Sequence, residues 1–177
     1  MGDRRYPGGR DRGMKSFIPL IIMLLPFWAE AQKEVTLGGM TLSYRLLAEE
    51  IELQLTAPTT GWVGVGFNSR NSIVKSDLYL LRVKEGKVEG LDLYVVGAGN
   101  PREDTELGGT NSLILLEGLE KNSTTQVNLR LPFPSGDKFD YLHHQDKEFW
   151  LILAYSVSDD FDHHSIMRKH TLFSFSE

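Results

Sequence analysis

The side chains best suited to chemistry in this sequence are two pairs of adjacent histidines and the aspartates beside one of them. The pairs are His143-His144 and His163-His164, and the aspartates are Asp159, Asp160 and Asp162. Imidazole nitrogens and carboxylate oxygens together could bind zinc or copper. The spacing argues against a shared ion, because adjacent histidines rarely both reach one metal and the sequence has no H-x-H or H-x-x-x-H pair. Without a further signal, solvent-facing polar loop residues are the favoured explanation of each pair.

A second informative feature is an apolar segment with regularly placed glycines, Gly61–Phe67. It contains no polar side chain, which is typical of a strand that is buried on both faces. Glycine within a strand permits another group to approach the backbone closely. With histidines on a loop between two later strands, the segment predicts a sandwich whose loops hold a bound group.

Short strands separated by turn residues account for most of the chain after residue 31. The predicted strands are Met40–Leu47, Ile51–Thr56, Gly61–Phe67, Asp77–Lys84, Lys87–Val96, Leu113–Leu119, Thr124–Leu131, Phe149–Ser156 and Lys169–Phe175. Ile51, Leu53 and Leu55 alternate with polar residues, as in a half-buried strand, and Glu85-Gly86 indicates a two-residue hairpin turn. No segment after residue 31 has a convincing helical period. The pattern predicts an all-β fold, an antiparallel immunoglobulin-like β-sandwich of nine to eleven strands.

The first 31 residues predict a secretory signal peptide with an upstream extension. Met14-Lys15 precedes an apolar run, Phe17–Trp28, that ends at Ala29-Glu30-Ala31. This order of positive charge, apolar core and small residues is that of an export signal. About 12 apolar residues fall short of the roughly 20 that span a bilayer. We therefore expect residues 32–177 to form a single exported domain, secreted or periplasmic.

Charge and cysteine content narrow the classes of partner and cofactor. Residues 1–31 contain five of the 19 Lys and Arg and three of the 24 Asp and Glu, so the remainder has 14 basic and 21 acidic side chains and a formal net charge of −7. Such an acidic domain is not suited to bind nucleic acid or an anionic membrane surface. The absence of cysteine excludes disulfides, covalent haem attachment and iron–sulfur clusters.

No catalytic constellation accompanies these features. The sequence has no G-x-S-x-G motif, no phosphate-binding glycine loop and no cysteine nucleophile. Glu49-Glu50 and Glu103-Asp104 are interpreted as solvated turn charges rather than an acid and base pair. We expect an electron-transfer or binding module rather than an independent enzyme.

The order of several short motifs resembles the DOMON family, a sandwich module first described in dopamine β-monooxygenase. The motifs are Gly61–Asn68, Ser76-Asp77, Leu91–Tyr94, Leu113–Gly118, Leu131-Pro132, Trp150–Tyr155 and His164–Arg168. The resemblance as a whole covers roughly residues 34–175, almost the whole of the expected exported domain. The resemblance implies the β-sandwich that the strand pattern also predicts.

In one branch of this family the resemblance implies a b-type haem, held between a Met in the loop after the G-W strand and a His before the last strand. The histidine position falls on His164 and the methionine position on Ile73. His164 is preferred to His163 as the ligand, because a shift of one residue moves the side chain to the opposite face. Isoleucine cannot bind iron, which leaves three outcomes: a five-coordinate haem on His164, a sixth ligand from elsewhere, or no haem. Met40, Met167 and Lys75 are the substitutes to consider for the sixth ligand.

Two functions follow from the resemblance. In the first, an exported haem domain exchanges single electrons with a membrane cytochrome or an extracytoplasmic oxidoreductase. In the second, the sandwich binds a sugar or an aromatic compound in an apolar mouth lined by Trp62, Phe67 and Tyr94, or docks onto a partner protein. Position 73 distinguishes the two, since a methionine there would have favoured the haem.

Overall fold

The computed structural model of the protein describes Met1 and residues 33–133, 137–141 and 147–175. Apart from Met1, the predicted signal peptide lies outside the described residues, and so do His143 and His144. Within the described ranges, no helix combines the length and the apolar character needed to cross a bilayer.

Eleven strands and one short 3-10 helix make up the described fold. In chain order the strands are β1 (Lys33–Leu37), β2 (Met40–Leu46), β3 (Glu50–Ala57), β4 (Val63–Asn68), β5 (Asp77–Lys84), β6 (Lys87–Gly97), β7 (Asn100–Glu103), β8 (Ile114–Lys121), β9 (Thr124–Pro132), β10 (Phe149–Tyr155) and β11 (Met167–Phe173). The 3-10 helix, Asp104–Leu107, directly follows β7. The sequence predicted nine of these strands, each end correct to within about two residues, and missed β1 and β7.

The strands form two antiparallel sheets packed face to face. One has five strands in the order β1-β2-β3-β9-β8, and the other has six in the order β11-β10-β4-β5-β6-β7. All pairings between neighbouring strands are antiparallel. The expected all-β antiparallel sandwich is therefore confirmed, with the strand number at the upper end of the expected range.

Alternating apolar residues form the core between the sheets. Ile51, Leu53 and Leu55 of β3 are fully buried. Glu52 points to the other face of β3, where its carboxylate accepts hydrogen bonds from the guanidinium of Arg130 at 3.0 and 2.8 Å. Full burial of one such leucine contributes about 1.5–3 kcal/mol. The alternation that predicted this strand thus also determines which face packs in the core.

Strand β4 is apolar on both faces because it lies inside the six-stranded sheet. Val63, Val65 and Phe67 belong to the core between the sheets. On the opposite face, Gly64 leaves room for the side chain of Leu80 from β5. A Cβ atom at position 64 would lie 2.8 Å from Leu80 Cδ2. The close approach expected at the glycines is therefore made by a neighbouring strand.

The β5–β6 hairpin turns at Glu85-Gly86, as the sequence predicted. The two residues have φ angles of 52° and 74°, and a positive φ at both positions is the type I′ geometry that suits twisted strands. The turn pairs Lys84 with Lys87.

Strand β5 has apolar side chains on both faces of the sheet. Because successive side chains alternate between faces, Leu78 and Leu80 do not join the core between the sheets but pack on the outer face.

Candidate functional site

A cleft of about 230 Å³ lies on the outer face of the six-stranded sheet. Its floor is apolar and is formed by Trp62, Leu78, Leu80, Val95 and Ala154. Small-molecule sites commonly measure roughly 300–1,000 Å³, so this cleft is slightly smaller than most. Because its floor is apolar, the cleft suits a ligand with an apolar face.

Trp62 joins the floor of the cleft to the loop between β10 and β11. Its Nε1 donates a hydrogen bond to the carbonyl oxygen of His163 at 3.1 Å. Its backbone N–H donates to the carbonyl of Ser158 at 3.1 Å, and its own carbonyl accepts from the backbone N–H of Ser156 at 2.9 Å. Because one buried residue makes all three bonds, the loop is held against the sheet.

The two histidines of this loop have different surroundings. Nδ1 of His163 lies 2.9 Å from the hydroxyl oxygen of Ser156 and 3.0 Å from the carbonyl oxygen of His164. Both histidines are exposed and line the cleft, yet the ring of His164 forms no hydrogen bond with any residue that the structure describes. His164 is thus the imidazole that can bind a ligand without losing an existing hydrogen bond.

Arg82 fixes the outer part of the same loop. Its guanidinium carbon lies 4.5 Å from the centre of the Phe161 ring, and its Nη1 donates to the carbonyl oxygen of Asp159 at 2.8 Å. Glu89 orients the guanidinium by accepting hydrogen bonds at 2.8 and 2.6 Å. A cation–π contact of this kind contributes about 0.5–2 kcal/mol. Phe161 is therefore held as one wall of the cleft.

The loop of residues 69–76 forms another wall, which carries Ile73. Asn68 Nδ2 donates to the carbonyl oxygen of Ser72 at 2.6 Å, and the hydroxyl of Ser76 donates to the carbonyl oxygen of Ile73 at 2.8 Å. Ile73 is partly buried and packs against the apolar floor. The structure thus brings Ile73 and His164 to the same cleft.

The three substitutes considered for a sixth ligand do not line this cleft. Met40 is fully buried in the core between the sheets, and Met167 packs against that core. Lys75 is exposed, and its backbone N–H donates to the carbonyl of Val95 at 2.7 Å. Among the described residues, no methionine lines the cleft.

Two residues expected at an apolar mouth lie elsewhere. Phe67 is fully buried between the sheets, with its ring centre 5.7 Å from that of Phe149. Tyr94 packs against Phe139, with 5.3 Å between ring centres. It points away from the cleft, because the residues on either side of it in β6 face the floor. The expectation that Phe67 and Tyr94 line the apolar mouth is therefore corrected, since neither lines the cleft. Trp62 does line it.

Strand β11 contributes Arg168 to the cleft and carries a second basic residue, His170. Arg168 lines it and is exposed, so its guanidinium is available to an anionic edge of a ligand. Nδ1 of His170 lies 3.0 Å from Oδ1 of Asn71. Partial burial and the charge of Arg168 lower the pKa of His170. Sequence reasoning missed Phe161 and Arg168 as cleft residues, although both lie within four residues of His164 in the sequence.

Comparison with known proteins gives the same fold. A family model described as "DOMON domain" matches residues 36–156, which is more than half of the chain. A comparison with curated proteins gives no match.

Solved structures with a similar fold include two cytochrome domains. The cytochrome b domain of pyranose dehydrogenase from Coprinopsis cinerea has a TM-score of 0.57 and 11% identity, over 76% of this chain and 75% of that one. The cytochrome domain of cellobiose dehydrogenase from Myriococcum thermophilum has a TM-score of 0.56 and 14% identity, over 72% of this chain and 69% of that one. At these identities the likeness concerns the fold alone.

Proposed function

Because this chain belongs to the DOMON family, we propose that its cleft binds a b-type haem and that His164 is an axial ligand of the iron. The observation that carries the proposal is the ring of His164, which lines an apolar cleft and forms no hydrogen bond with the described residues. Both solved structures described above are cytochrome domains, which supports the same class of cofactor.

The residues of the cleft fit such a group at three points. Trp62, Leu80 and Ala154 offer an apolar floor to a planar macrocycle, and neutral imidazole is a strong axial donor. Arg168 could pair with carboxylates at the rim. When bound, haem supplies one-electron redox chemistry.

Ile73 determines how many protein ligands the proposed site can offer to the iron. It has methyl groups where the family resemblance implies a thioether, and it lies in the same cleft as His164. In the proposed site His164 would bind the haem, whereas Ile73 would offer it no ligand atom. A site of this kind differs in spin state and potential from one with both histidine and methionine.

His163 has a supporting role in the proposal. Its carbonyl accepts the Trp62 hydrogen bond, and its ring is engaged by Ser156 and by the next carbonyl. Those contacts fix the backbone on both sides of the peptide that carries His164. His163 thus positions the ligand without binding iron.

We further propose that the domain acts outside the cytoplasm as an electron-transfer module. Two features support this proposal: the predicted signal peptide, and a fold similar to that of cytochrome domains of dehydrogenases. The partner would be an oxidoreductase or a membrane cytochrome that accepts or donates single electrons at the exposed edge of the cleft.

A second candidate function is the binding of a sugar or a small aromatic compound. Two observations favour it: the cleft measures about 230 Å³, and Ile73 replaces the methionine that the haem branch uses. The indole of Trp62 at the floor could stack on either kind of ligand.

Haem retention separates the two functions. The purified protein would be mixed with ferric haem, freed of unbound haem by gel filtration, and examined by absorption spectroscopy, together with His164→Ala and the matched control His163→Ala. We expect one haem per wild-type chain, most of it lost in His164→Ala. Most of it should be kept in His163→Ala, because the backbone carbonyl at position 163 still accepts the Trp62 hydrogen bond. If the wild-type protein retains no haem, the ligand-binding function takes its place, and thermal-shift screening with sugars and catechols becomes the next measurement.

A further inference from the structure

Strand β8 lies at one edge of the five-stranded sheet and carries exposed apolar side chains. It pairs with β9 on one side, and on its other side no strand of the described chain continues the sheet. Ile114, Leu116 and Leu119 are 41%, 42% and 57% exposed. An exposed apolar edge offers its unpaired backbone groups to another strand, and proteins usually protect such edges with charge or cover. The outer edge of β8 is therefore a candidate surface for strand pairing.

A bulge limits the regular part of this edge to residues 117–121. The pairing of β8 with β9 shifts register between Leu115 and Glu117 and then runs without interruption to Lys121. A bulge bends its strand and interrupts the ladder, so a second strand would pair beyond it. Strand pairing at this edge would thus involve five residues.

The other sheet leaves this part of the edge open. A Cβ atom at Gly118 would lie 2.5 Å from Cγ2 of Val88, which places this part of β8 over the start of β6. Strand β7 pairs with β6 between Leu93 and Gly97. Val88 and Leu93 are roughly 17 Å apart along a strand, so β7 does not cover residues 117–121.

Side chains of this segment alternate between solvent and core. Glu117, Leu119 and Lys121 are exposed, and Gly118 and Glu120 between them face inward. Neither Glu117 nor Lys121 forms an ion pair with another described residue. The solvent face of the segment thus has a leucine between an acidic and a basic side chain, both available to a partner.

The turn after β8 determines which backbone groups point to the free edge. Asn122-Ser123 has φ angles of 52° and 58°, the type I′ geometry of a two-residue hairpin. Lys121 and Thr124 close this hairpin and direct their backbone groups at each other. Because that direction alternates along an antiparallel strand, the backbone N–H and C=O of Gly118 and Glu120 point to the free edge.

One antiparallel register of two β8 strands satisfies both backbone and charge. If Leu119 lies opposite Leu119 of a second copy, Gly118 lies opposite Glu120, and their backbone groups can exchange hydrogen bonds. Glu117 then lies opposite Lys121, and symmetry makes this ion pair twice. A shift by one residue would oppose backbone groups that point away from each other. Placing Gly118 opposite itself sets Glu117 against a leucine, and placing Glu120 opposite itself brings like charges together.

We propose that two copies of this chain associate through β8, in an antiparallel pair centred on Leu119 that joins their five-stranded sheets. A second copy is the fitting partner because the same five residues supply both members of each ion pair, as a two-fold interface requires. Opposite charges directly across a strand pair are stabilising. The cleft lies on the outer face of the other sheet, so the inference does not depend on haem or ligand binding.

Sedimentation equilibrium of the full chain at increasing concentration measures this association. We expect the mean mass to rise towards that of a dimer. Glu117→Lys and Lys121→Glu should each weaken the dimer by about 10-fold, because either change places like charges opposite each other twice. The double variant restores opposite charges and should regain most of the wild-type affinity. Lys169→Glu, at an exposed position of β11, is the matched control and should dimerise as the wild type does.

The absence of cysteine permits a second test, by disulfide formation. Leu119→Cys would place two thiols opposite each other in a non-hydrogen-bonded pair, with Cα atoms about 4.5 Å apart, within the roughly 4.4–6.8 Å that a disulfide spans. Most of this variant should therefore oxidise in air to a dimer that a reducing agent separates. Leu116→Cys is the control at equal concentration, because its copy would lie roughly 20 Å away along the strand.

Three results would overturn the proposal. The first is a mean mass that stays monomeric up to about 1 mM protein, which would leave the edge of β8 to a strand of a different protein. The second is a double charge variant as weak as the single ones, since Glu117 and Lys121 would then not face each other. The third is equal disulfide formation at positions 116 and 119. All variants share the same first 31 residues, so differences between them report on β8, and the wild-type measurement decides even if a variant does not fold.

Discussion

The indole Nε1 of Trp62 donates a hydrogen bond to the carbonyl oxygen of His163 at 3.1 Å. This bond joins the apolar floor of the cleft to the peptide that precedes His164. Trp62 comes directly before β4, and His163 lies 101 residues further along the chain. The contact explains how a loop residue can have a defined position over a sheet that it does not belong to.

Trp62→Phe should loosen the histidine loop while leaving the sandwich folded. It removes the indole donor and leaves the carbonyl of His163 without its partner, at a cost of about 1–3 kcal/mol. Haem or ligand affinity should fall with it. The control is Trp150→Phe, because Trp150 lies in β10 but does not line the cleft. Chemical unfolding and ligand titration of both variants test this, and equal ligand affinity in the two would contradict it.

Ile73→Met should restore a thioether to the cleft. If haem binds through His164, the ferrous spectrum should shift from high spin towards low spin and the reduction potential should rise. Val74→Met is the control, since its neighbouring position does not line the cleft. Absorption spectroscopy and a redox titration measure both changes. An unchanged spectrum in Ile73→Met would show that position 73 does not face the iron.

Alanine substitution of Phe67 should mainly affect stability, whereas that of Phe161 should mainly affect ligand affinity. Phe67 is fully buried between the sheets, so Phe67→Ala should lower the free energy of unfolding by about 3–5 kcal/mol. Phe161 is partly buried against the cleft, so Phe161→Ala should cost less stability but more ligand affinity. Urea unfolding and ligand titration separate the two effects. A larger loss of stability in Phe161→Ala would contradict the assignment.

Gly61 is the glycine whose substitution should damage the cleft most directly. A Cβ atom there would lie 2.5 Å from the backbone nitrogen of Ser158 and 2.6 Å from the carbonyl oxygen of Ser156. Backbone atoms cannot move aside as easily as the end of a flexible side chain. Gly61→Ala should therefore displace the histidine loop and destabilise the protein by about 1–3 kcal/mol or more. Gly97→Ala, which meets nothing within 4 Å, is the control and should be near neutral in thermal unfolding.

The sequence predicted the strands well because their alternation and turn chemistry are local. It could not assign the faces of β4, since both are apolar, and Phe67 was therefore placed at a mouth when it lies in the core. The short strand β7 contains Pro101 and was missed, because proline weakens a strand signal. Asp104 looked like a surface charge next to Glu103, but it is buried close to Asp137 and Asp140, which are distant in the chain.

Carbon monoxide binding tests the proposal of a single axial histidine most directly. The wild-type protein would be loaded with haem, reduced, and examined by absorption spectroscopy before and after addition of carbon monoxide. With His164 as the only axial ligand and Ile73 in the same cleft, we predict a high-spin ferrous spectrum and rapid, complete uptake of carbon monoxide. A low-spin ferrous spectrum that resists carbon monoxide, or equal haem content in wild type and His164→Ala, would contradict the proposal.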